Sequence, residues 1–259
     1  MVDLIKIIND YYEVADEVET INLSDKYWFR ASKFYYMCPM EEAICYHEKI
    51  KRYDILDGKT NMLFQTGHDF HYKIQKALAD KGVLLGNWRC SSCGLFISDI
   101  VPMPSVCPTC NKSGVEVMEY VEVVLFIEKL RVGGHCDGIL PDNSILEIKT
   151  TNERSFNNFI WNGIPDSYKC QANIYMSCYN TDTVLFLPIH KNDEDMRIFE
   201  YHYDEKIFKG IVEKAIVAVN GILEGHNSID KYKVARVCDS ASCSRAKSCK
   251  AASICFRKK

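Results

Sequence analysis

The stretch GHCDGILPDNSILEIK, from Gly134 to Lys149, organises the rest of this chain. Its two apolar runs are separated by residues 141–144 (PDNS), residue types that favour a chain reversal. The stretch therefore predicts a β-hairpin that brings Asp137 back beside Glu147. Two carboxylates placed in this way can hold one divalent ion.

The second strand of this hairpin predicts two different faces. On a strand, Glu147 and Lys149 project from one side, while Leu146 and Ile148 point to the other side, toward a core. An acid and a lysine that alternate in this way are more often a solvated face of a sheet. The segments before and after the hairpin favour a functional site instead.

Both flanking segments predict helices that carry polar side chains. Upstream, Gly67–His71 opens the segment Phe70–Leu78, in which apolar residues recur at helical spacing. Downstream, Gln171 and Tyr175 are four apart within Tyr168–Met176, so they share one helix face.

In order and residue type, these elements resemble the RecB-like exonuclease branch of the PD-(D/E)xK nuclease superfamily. That series is a Gly-x-x-x-His helix, a Gly-x-x-Asp strand, an acid-x-Lys strand and a Gln-x-x-x-Tyr helix. It reads here as Gly67 to His71, Gly134 to Asp137, Glu147 to Lys149 and Gln171 to Tyr175. Residues 31–39 (ASKFYYMCP) also resemble the segment that precedes this nuclease core, so the resemblance spans residues 30–255.

The resemblance implies an α/β fold, a restriction-endonuclease-like core with a mixed central sheet flanked by helices. It implies that His71, Asp137 and Glu147 bind a catalytic ion, with the Ile148 carbonyl as a further ligand. Oxygen ligands suit Mg²⁺ or Mn²⁺, and one imidazole favours Mn²⁺. Lys149 would position the attacking water or stabilise the charge that develops on phosphorus.

Further residues are expected around this site. The resemblance gives Gln171 and Tyr175 a supporting role in catalysis and contact with the nucleic-acid backbone. His68 is the rival to the metal-binding histidine, but it falls one residue after Gly67 and is expected to face solvent or to bond to the backbone. Because the formal net charge is −3, DNA contact would need a local basic groove. The candidates for that groove are Lys149, Arg154, Lys169 and Lys191.

Four of the 13 cysteines form two Cys-x-x-Cys knuckles, and the spacing predicts a structural zinc site. Each tight knuckle can direct two sulfurs at one tetrahedral ion, and a closed four-thiolate site leaves no position for catalysis. Disulfides or free cysteines are the alternatives. The position between His71 and Asp137 makes this zinc ribbon an insertion that grips DNA or a partner. Its ligands are Cys90, Cys93, Cys107 and Cys110.

A second group of cysteines lies near the C-terminus and lacks a Cys-x-x-Cys pair. The nuclease resemblance implies a four-iron four-sulfur cluster held by one cysteine before the core and three after it. Cys38 would be the early ligand. Which later cysteine is spare, Cys238 or Cys243, stays open, and zinc is the rival metal at these thiols. The later candidates are Cys238, Cys243, Cys249 and Cys255.

The remaining pattern gives a domain plan and coarse elements. The plan is an N-terminal helical part (1–85), the zinc ribbon (86–116), the nuclease core (117–230) and a cysteine-rich segment (231–259). Helices are expected at 3–20, 40–52 and 206–223, strands at 117–130, 183–189 and 197–203, and a loop at 156–165 whose aromatics could stack on bases.

Two functional classes follow. The first is a metal-dependent DNA exonuclease on single strands or DNA ends, in phage or bacterial recombination, repair or replication, working within a protein complex. The second is a catalytically silent DNA-binding scaffold that keeps the zinc and iron-sulfur sites. The intact His71, Asp137, Glu147 and Lys149 favour the enzyme. No run of about 18 apolar residues and no signal peptide are found, so a cytoplasmic protein without membrane contact is expected.

Overall fold

A computed structural model describes residues 3–18, 21–26, 28–50, 52–113, 117–225 and 237–256. The chain forms two compact units. The terminal unit is drawn from Met1–Phe64, Ile127–Val132 and Glu205–Lys259. The central unit is drawn from Gln65–Phe126 and Gly133–Asp204.

The helices and strands alternate along the chain. The helices are α1 Leu4–Tyr12, α2 Ala31–Phe34, α3 Pro39–His47, α4 Gly58–Asp80, α5 Glu153–Asn162, α6 Asp166–Tyr179, α7 Glu205–Glu224, α8 Ser244–Ser248 and α9 Ala252–Cys255. The strands are β1 Val14–Val18, β2 Phe29–Arg30, β3 Arg52–Leu56, β4 Leu85–Cys90, β5 Phe96–Pro102, β6 Met118–Val121, β7 Val123–Ile127, β8 Val132–Cys136, β9 Gly138–Ile139, β10 Ile145–Thr151, β11 Thr183–His190 and β12 Phe199–His202. None of the described helices is both long and apolar enough to cross a membrane.

A mixed sheet of seven strands forms the centre of the central unit. Its order is β12-β11-β10-β9-β4-β5, and β6 also pairs with β4. β10 and β11 run parallel, whereas β9 and β10 run antiparallel. The predicted α/β class, with a mixed central sheet flanked by helices, is confirmed. Through β4 and β5, the strands around the first cysteine knuckle belong to this sheet.

The predicted hairpin is β9 and β10, with Ile139 opposite Ile145. The apolar face of β10 is buried as expected, since Leu146 and Ile148 pack with Ile189 and with the apolar stripe of α4. Burying one such side chain contributes about 1.5–3 kcal/mol. The core therefore fixes which face of β10 carries Glu147.

The terminal unit is organised around α3 and α7. Ala43 and Ile44 are fully buried with Val217 in one apolar cluster. A ring nitrogen of His47 lies 3.0 Å from the Gly221 carbonyl oxygen, which ties the two helices together. The helix predicted at 206–223 is confirmed as α7.

Two predicted helices end earlier than expected. The helix predicted at 3–20 stops at Tyr12, and β1 follows it; residues 19 and 20 lie outside the described part of the chain. The helix predicted at 40–52 stops at His47, because Lys49 adopts a left-handed φ of 52°, and β3 begins at Arg52. β1 and β3 pair antiparallel with each other. Pairing between distant segments outweighs the weak local preference for helix.

The loop predicted at 156–165 is wrong over most of its length, because α5 extends to Asn162. The Asn152 side chain caps the helix by accepting a hydrogen bond from the backbone N–H of Ser155, and Gly163 ends the helix with a φ of 73°. Phe156 and Phe159, three residues apart, are buried on the inner face. The helix was not predicted from the sequence because its asparagines, Asn157, Asn158 and Asn162, have poor helix propensity.

The strands predicted at 117–130, 183–189 and 197–203 are present over most of their length, but Glu128–Leu130, at the end of the first, form a 3-10 helix instead of a strand. The first is interrupted, because Glu122 separates β6 from β7. The predicted boundary between residues 230 and 231 falls in 226–236, outside the described residues.

The close approach of β8 to β7 gives a test of the fold. A Cβ atom on Gly133 would lie 2.5 Å from the Phe126 Cβ and 2.6 Å from the Leu125 carbonyl oxygen. Since backbone cannot move aside easily, Gly133→Ala should lower the free energy of unfolding by about 1–3 kcal/mol in urea denaturation. Gly210→Ala is the control, because no atom lies within 4 Å and alanine favours the α7 helix. Equal destabilisation by both substitutions would contradict this packing.

Candidate functional site

Three side chains from separate elements of the central unit could hold a metal ion. They are His71 on α4, Glu122 between β6 and β7, and Asp137 between β8 and β9, and one ligand atom from each lies within 4.8 Å of the others. The His71 Nδ1 lies 3.1 Å from the Asp137 Oδ1. The structure thus brings together two of the predicted metal ligands and adds Glu122.

Sequence reasoning missed Glu122. Its one local signal is the break in strand character between Val121 and Val123, which does not indicate a partner. In the structure, Gln75 on α4 connects Glu122 to Asp137. Its Nε2 donates to the Asp137 backbone carbonyl oxygen at 2.9 Å and to the Glu122 Oε1 at 3.4 Å. A buried amide therefore links the Glu122 carboxylate to the backbone of Asp137.

The electrostatics of this group favour a cation. Burial raises the pKa of Glu122, and the charge of Asp137 raises it further. Burial lowers the pKa of His71, but the hydrogen bond and charge of Asp137 outweigh this and raise it overall. Acids that repel each other in a partly dry site are stabilised by a positive ion.

Glu147 and Lys149 face the same side of β10, as predicted. The Lys149 Nζ donates to the Glu147 Oε2 at 2.6 Å, and the Glu147 side chain is only 1% exposed. The other oxygen, Oε1, is buried and has no hydrogen-bond partner among the described residues. An unsatisfied buried carboxylate oxygen is costly, which fits a site built for a ligand that the protein itself does not supply.

The charges of this pair depend on burial and on each other. Burial raises the pKa of Glu147 to about 7, although Lys149 opposes the shift. Burial would lower the pKa of Lys149, but the carboxylates of Glu147 and Asp137 raise it overall, so the ammonium stays charged at neutral pH. The backbone N–H of Ile148 donates to the Asp137 Oδ2 at 2.6 Å, which holds that carboxylate against the hairpin.

The Gln-x-x-x-Tyr helix, α6, supports the lysine from the other side. Lys149 Nζ lies 3.4 Å from the Gln171 Oε1, the Gln171 Nε2 donates to the Tyr175 hydroxyl at 3.3 Å, and that hydroxyl donates to the His135 carbonyl oxygen at 2.9 Å. Gln171 and Tyr175 are both buried. The chain of hydrogen bonds fixes the position of the ammonium group.

The two motif glycines allow close packing around this network. A Cβ on Gly134 would lie 2.5 Å from the Tyr175 hydroxyl oxygen, and one on Gly67 would lie 3.1 Å from the Thr150 Oγ1. The need for glycine at these two motif positions therefore has a steric reason.

The other predicted polar residues lie at the surface of the central unit. His68 is exposed, as expected, and Arg154 is exposed on α5. Lys169 forms an ion pair with Asp166 at 3.0 Å. The backbone N–H of Lys191 donates to the Thr151 carbonyl oxygen.

The four cysteines of the two knuckles converge. Cys90 and Cys110 sulfurs are 3.7 Å apart, Cys93 and Cys107 sulfurs are 3.6 Å apart, and all four lie within 4.8 Å of one another. With Zn–S bonds of about 2.3 Å, tetrahedral thiolates lie about 3.8 Å apart. The arrangement has the dimensions of a single zinc site.

Each knuckle has the same backbone form. Gly94 and Asn111 follow the second cysteine of their knuckles, with φ values of 74° and 55°, and their N–H groups donate to the carbonyl oxygens of Cys90 and Cys107. Backbone hydrogen bonds, chiefly from Cys110, lower the pKa of Cys107, whereas burial and hydrogen bonds with the other three thiols outweigh a backbone hydrogen bond from Leu95 and raise the pKa of Cys93. A thiolate at neutral pH is the form that binds a metal.

The C-terminal cysteines gather near Cys38 in the terminal unit, but less tightly. Cys249 and Cys255 pack against the apolar cluster that contains Cys38. The hydrogen bond that the Cys238 thiol donates to Cys243, together with burial and the nearby Cys38, raises the pKa of Cys238 to about 11. Within the described residues, these sulfurs do not form a group with mutual distances under 4.8 Å.

Several solved structures are similar to this chain. An alkaline exonuclease, LHK-Exo from Laribacter hongkongensis, has 15% identity and a TM-score of 0.45 over 79% of this chain and 92% of its own. Its complex with dAMP gives 16% identity and a TM-score of 0.46 over the same shares of 79% and 92%. The crystal structure of SSO0001 gives 14% identity and a TM-score of 0.40 over 77% of this chain and 79% of its own.

No curated protein is significantly similar to this chain. Residues 110–183 match the family model of the YqaJ-like viral recombinase domain. This interval is less than half of the chain, and it contains Asp137, the Glu147 and Lys149 pair, and the α6 helix.

Proposed function

We propose that this protein is a divalent-metal-dependent DNA exonuclease of the PD-(D/E)xK type, acting on single-stranded DNA or DNA ends. The observation that carries the proposal is the buried Glu147 and Lys149 pair beside the group of His71, Glu122 and Asp137. A scaffold has no need for a buried lysine held against carboxylates at a candidate metal site.

The donor set fits Mg²⁺ or Mn²⁺. His71, Glu122 and Asp137 would hold the ion, together with the unpaired Glu147 Oε1 and the Ile148 carbonyl oxygen. Hard oxygen donors with one imidazole suit these ions better than soft metals, and the imidazole favours Mn²⁺. When bound, such an ion polarises a phosphate oxygen and lowers the pKa of a coordinated water.

The chain's own groups then supply fixed charge and orientation. The Lys149 ammonium is charged and held by Glu147 and Gln171, so it can stabilise negative charge that develops on the phosphate without reorganising. Tyr175 keeps Gln171 in place, and Gln75 holds the Glu122 carboxylate and the backbone of Asp137. This preorganised environment is the main catalytic contribution of the protein.

The proposed setting is recombination of phage or bacterial DNA. The match of residues 110–183 to a viral recombinase domain supports it, because that interval contains the proposed catalytic pair. The substrate is DNA, and a recombination or replication protein is the proposed partner.

Removing the Lys149 ammonium or the charge of its Glu147 partner should slow cleavage strongly but leave DNA binding intact. Lys149→Met and Glu147→Gln should each lower the rate of cleavage by about 10²–10³-fold, the usual effect of losing one preorganised charge donor. Release of nucleotides from end-labelled single- and double-stranded DNA, with Mg²⁺, with Mn²⁺ and with neither, measures this. Lys209→Met, which removes an exposed lysine of α7, is the matched control and should cleave normally.

Undiminished cleavage by Lys149→Met would reject the catalytic assignment. Tight DNA binding by the wild-type protein without cleavage in either ion would favour the silent scaffold instead.

We also propose that Cys90, Cys93, Cys107 and Cys110 bind one structural zinc ion. The sulfur distances and the two matched knuckles support it. Four thiolates fill a tetrahedral site, so the zinc would stabilise the local fold and take no part in hydrolysis.

Elemental analysis tests the zinc site. Cys107→Ser should lose the zinc and become sensitive to proteolysis between residues 86 and 116, because metal binding and local folding are coupled. Cys178→Ser, at a half-buried cysteine on α6, is the control and should keep its zinc. Full zinc content after Cys107→Ser would place the ion elsewhere.

We further propose that Cys38 and three of Cys238, Cys243, Cys249 and Cys255 bind a four-iron four-sulfur cluster. The convergence of Cys249 and Cys255 on the apolar cluster around Cys38 supports it. Thiolates on separate irons lie farther apart than thiolates on one ion, which fits the looser grouping of these sulfurs.

Anaerobic purification tests the cluster. The protein should be brown and contain about four iron and four sulfide per chain. Cys249→Ser should lose the colour, whereas the control Cys178→Ser should keep it. Colourless anaerobic protein with a second zinc ion and no sulfide would show that zinc occupies these thiols.

A further inference from the structure

An open groove of about 510 Å³ lies along α5 in the central unit. Trp161, Asn158, Asn162 and Arg154 line it from α5, and Tyr168 lines it from α6. This volume falls within the range of about 300–1,000 Å³ that is usual for sites that bind small ligands. None of these residues belongs to the proposed metal site.

Trp161 is the most unusual side chain of the groove. It is 80% exposed at the end of α5, although an indole is among the largest apolar groups that a protein can bury. Phe156 and Phe159 on the same helix already supply the contacts with the core. Packing therefore gives no reason for an indole at this position.

Phe159, Pro165 and the Tyr168 ring add apolar surface to the groove, and the rest of its lining consists of Ser, Asn and Arg side chains with no carboxylate among the described residues. The Asn162 Nδ2 donates to the Asn158 Oδ1 at 2.9 Å, and the Asn158 Nδ2 and the Asn162 Oδ1 can donate to and accept from a ligand. Arg154 is exposed and has no ion-pair partner in the described part of the chain. The groove therefore suits a ligand with flat apolar faces, polar edges and negative charge.

Tyr168 links the groove to the proposed catalytic site. The Lys149 Nζ lies 5.0 Å from the centre of the Tyr168 ring. Phe159 stacks on the same ring, with centroids 5.7 Å apart. One aromatic ring thus contacts the lysine and also forms a wall of the groove.

We propose that this groove binds unpaired nucleotides of the DNA strand next to the cleaved phosphate, with a base stacked on Trp161 and a phosphate on Arg154. The inference rests on the proposed nuclease function and adds to it a subsite for single-stranded DNA. A stacking platform accepts every base, so the groove would position the strand without reading its sequence.

Binding of two fluorescently labelled oligomers, measured without added divalent ion, tests the stacking. One is a twelve-residue oligothymidylate, and the other is an abasic oligomer of the same length. Trp161→Ala should weaken binding of the oligothymidylate about tenfold, the expected effect of losing one stacked base. Trp161→Phe should lose less, and the control Ile160→Ala, an exposed apolar residue on the same helix, should bind normally. The abasic oligomer should bind wild-type and Trp161→Ala proteins equally.

The phosphate contact predicts a different pattern. Arg154→Gln should weaken binding of both oligomers by the same factor. The slope of log affinity against log salt concentration should become shallower by about 1, because one phosphate contact is lost. Loss for the oligothymidylate alone would contradict a phosphate contact.

The outcomes separate this subsite from the proposed activity. Equal affinity of wild-type and Trp161→Ala proteins for the oligothymidylate, or equal loss for both oligomers, would overturn the stacking site even if Mn²⁺-dependent cleavage is observed. No measurable binding of the oligothymidylate by the wild-type protein would overturn it as well. Binding that depends on both the bases and Trp161, in a protein that never cleaves DNA, would support the groove and reject the nuclease.

Discussion

The buried contact between Glu147 and Lys149 is the constraint that the packing of the central unit has to accommodate. Removing two charges from water costs several kcal/mol for each ion, and their attraction offsets this only when the remaining groups are well hydrogen-bonded. Lys149 has such a partner in Gln171, but one oxygen of Glu147 has none among the described residues. A pair that is incompletely satisfied contributes little stability, so function is the better explanation for it.

The surrounding fold holds this pair by apolar packing. β10 is fixed between parallel β11 and antiparallel β9, and Leu146 and Ile148 anchor its opposite face. Ile74 on α4 packs against that apolar face, and the same helix presents His71 and Gln75 to the site. One helix therefore couples the core to the candidate metal ligands, so a loss of core packing would also displace them.

The sequence alone determined the hairpin, the two faces of β10 and the four-cysteine group. Each depends on local rules: alternation with a period of two, turn chemistry at residues 141–144 and the tight Cys-x-x-Cys knuckle. The helical positions of His71, Gln171 and Tyr175 followed from spacings of three and four residues. The ends of α1 and α3 could not be predicted from local spacing, because β1 and β3 form by pairing with each other across a long stretch of chain.

The tertiary structure decided which of these residues meet. Glu122 joins His71 and Asp137 only because β6 and β7 carry it to the end of β8, and no local pattern marks that contact. The helix α5 depends on burial of Phe156 and Phe159, which outweighs the poor helix propensity of its asparagines and leaves Trp161 in the groove. Spacing along the chain fixes the face on which a side chain lies, whereas long-range packing decides what faces it.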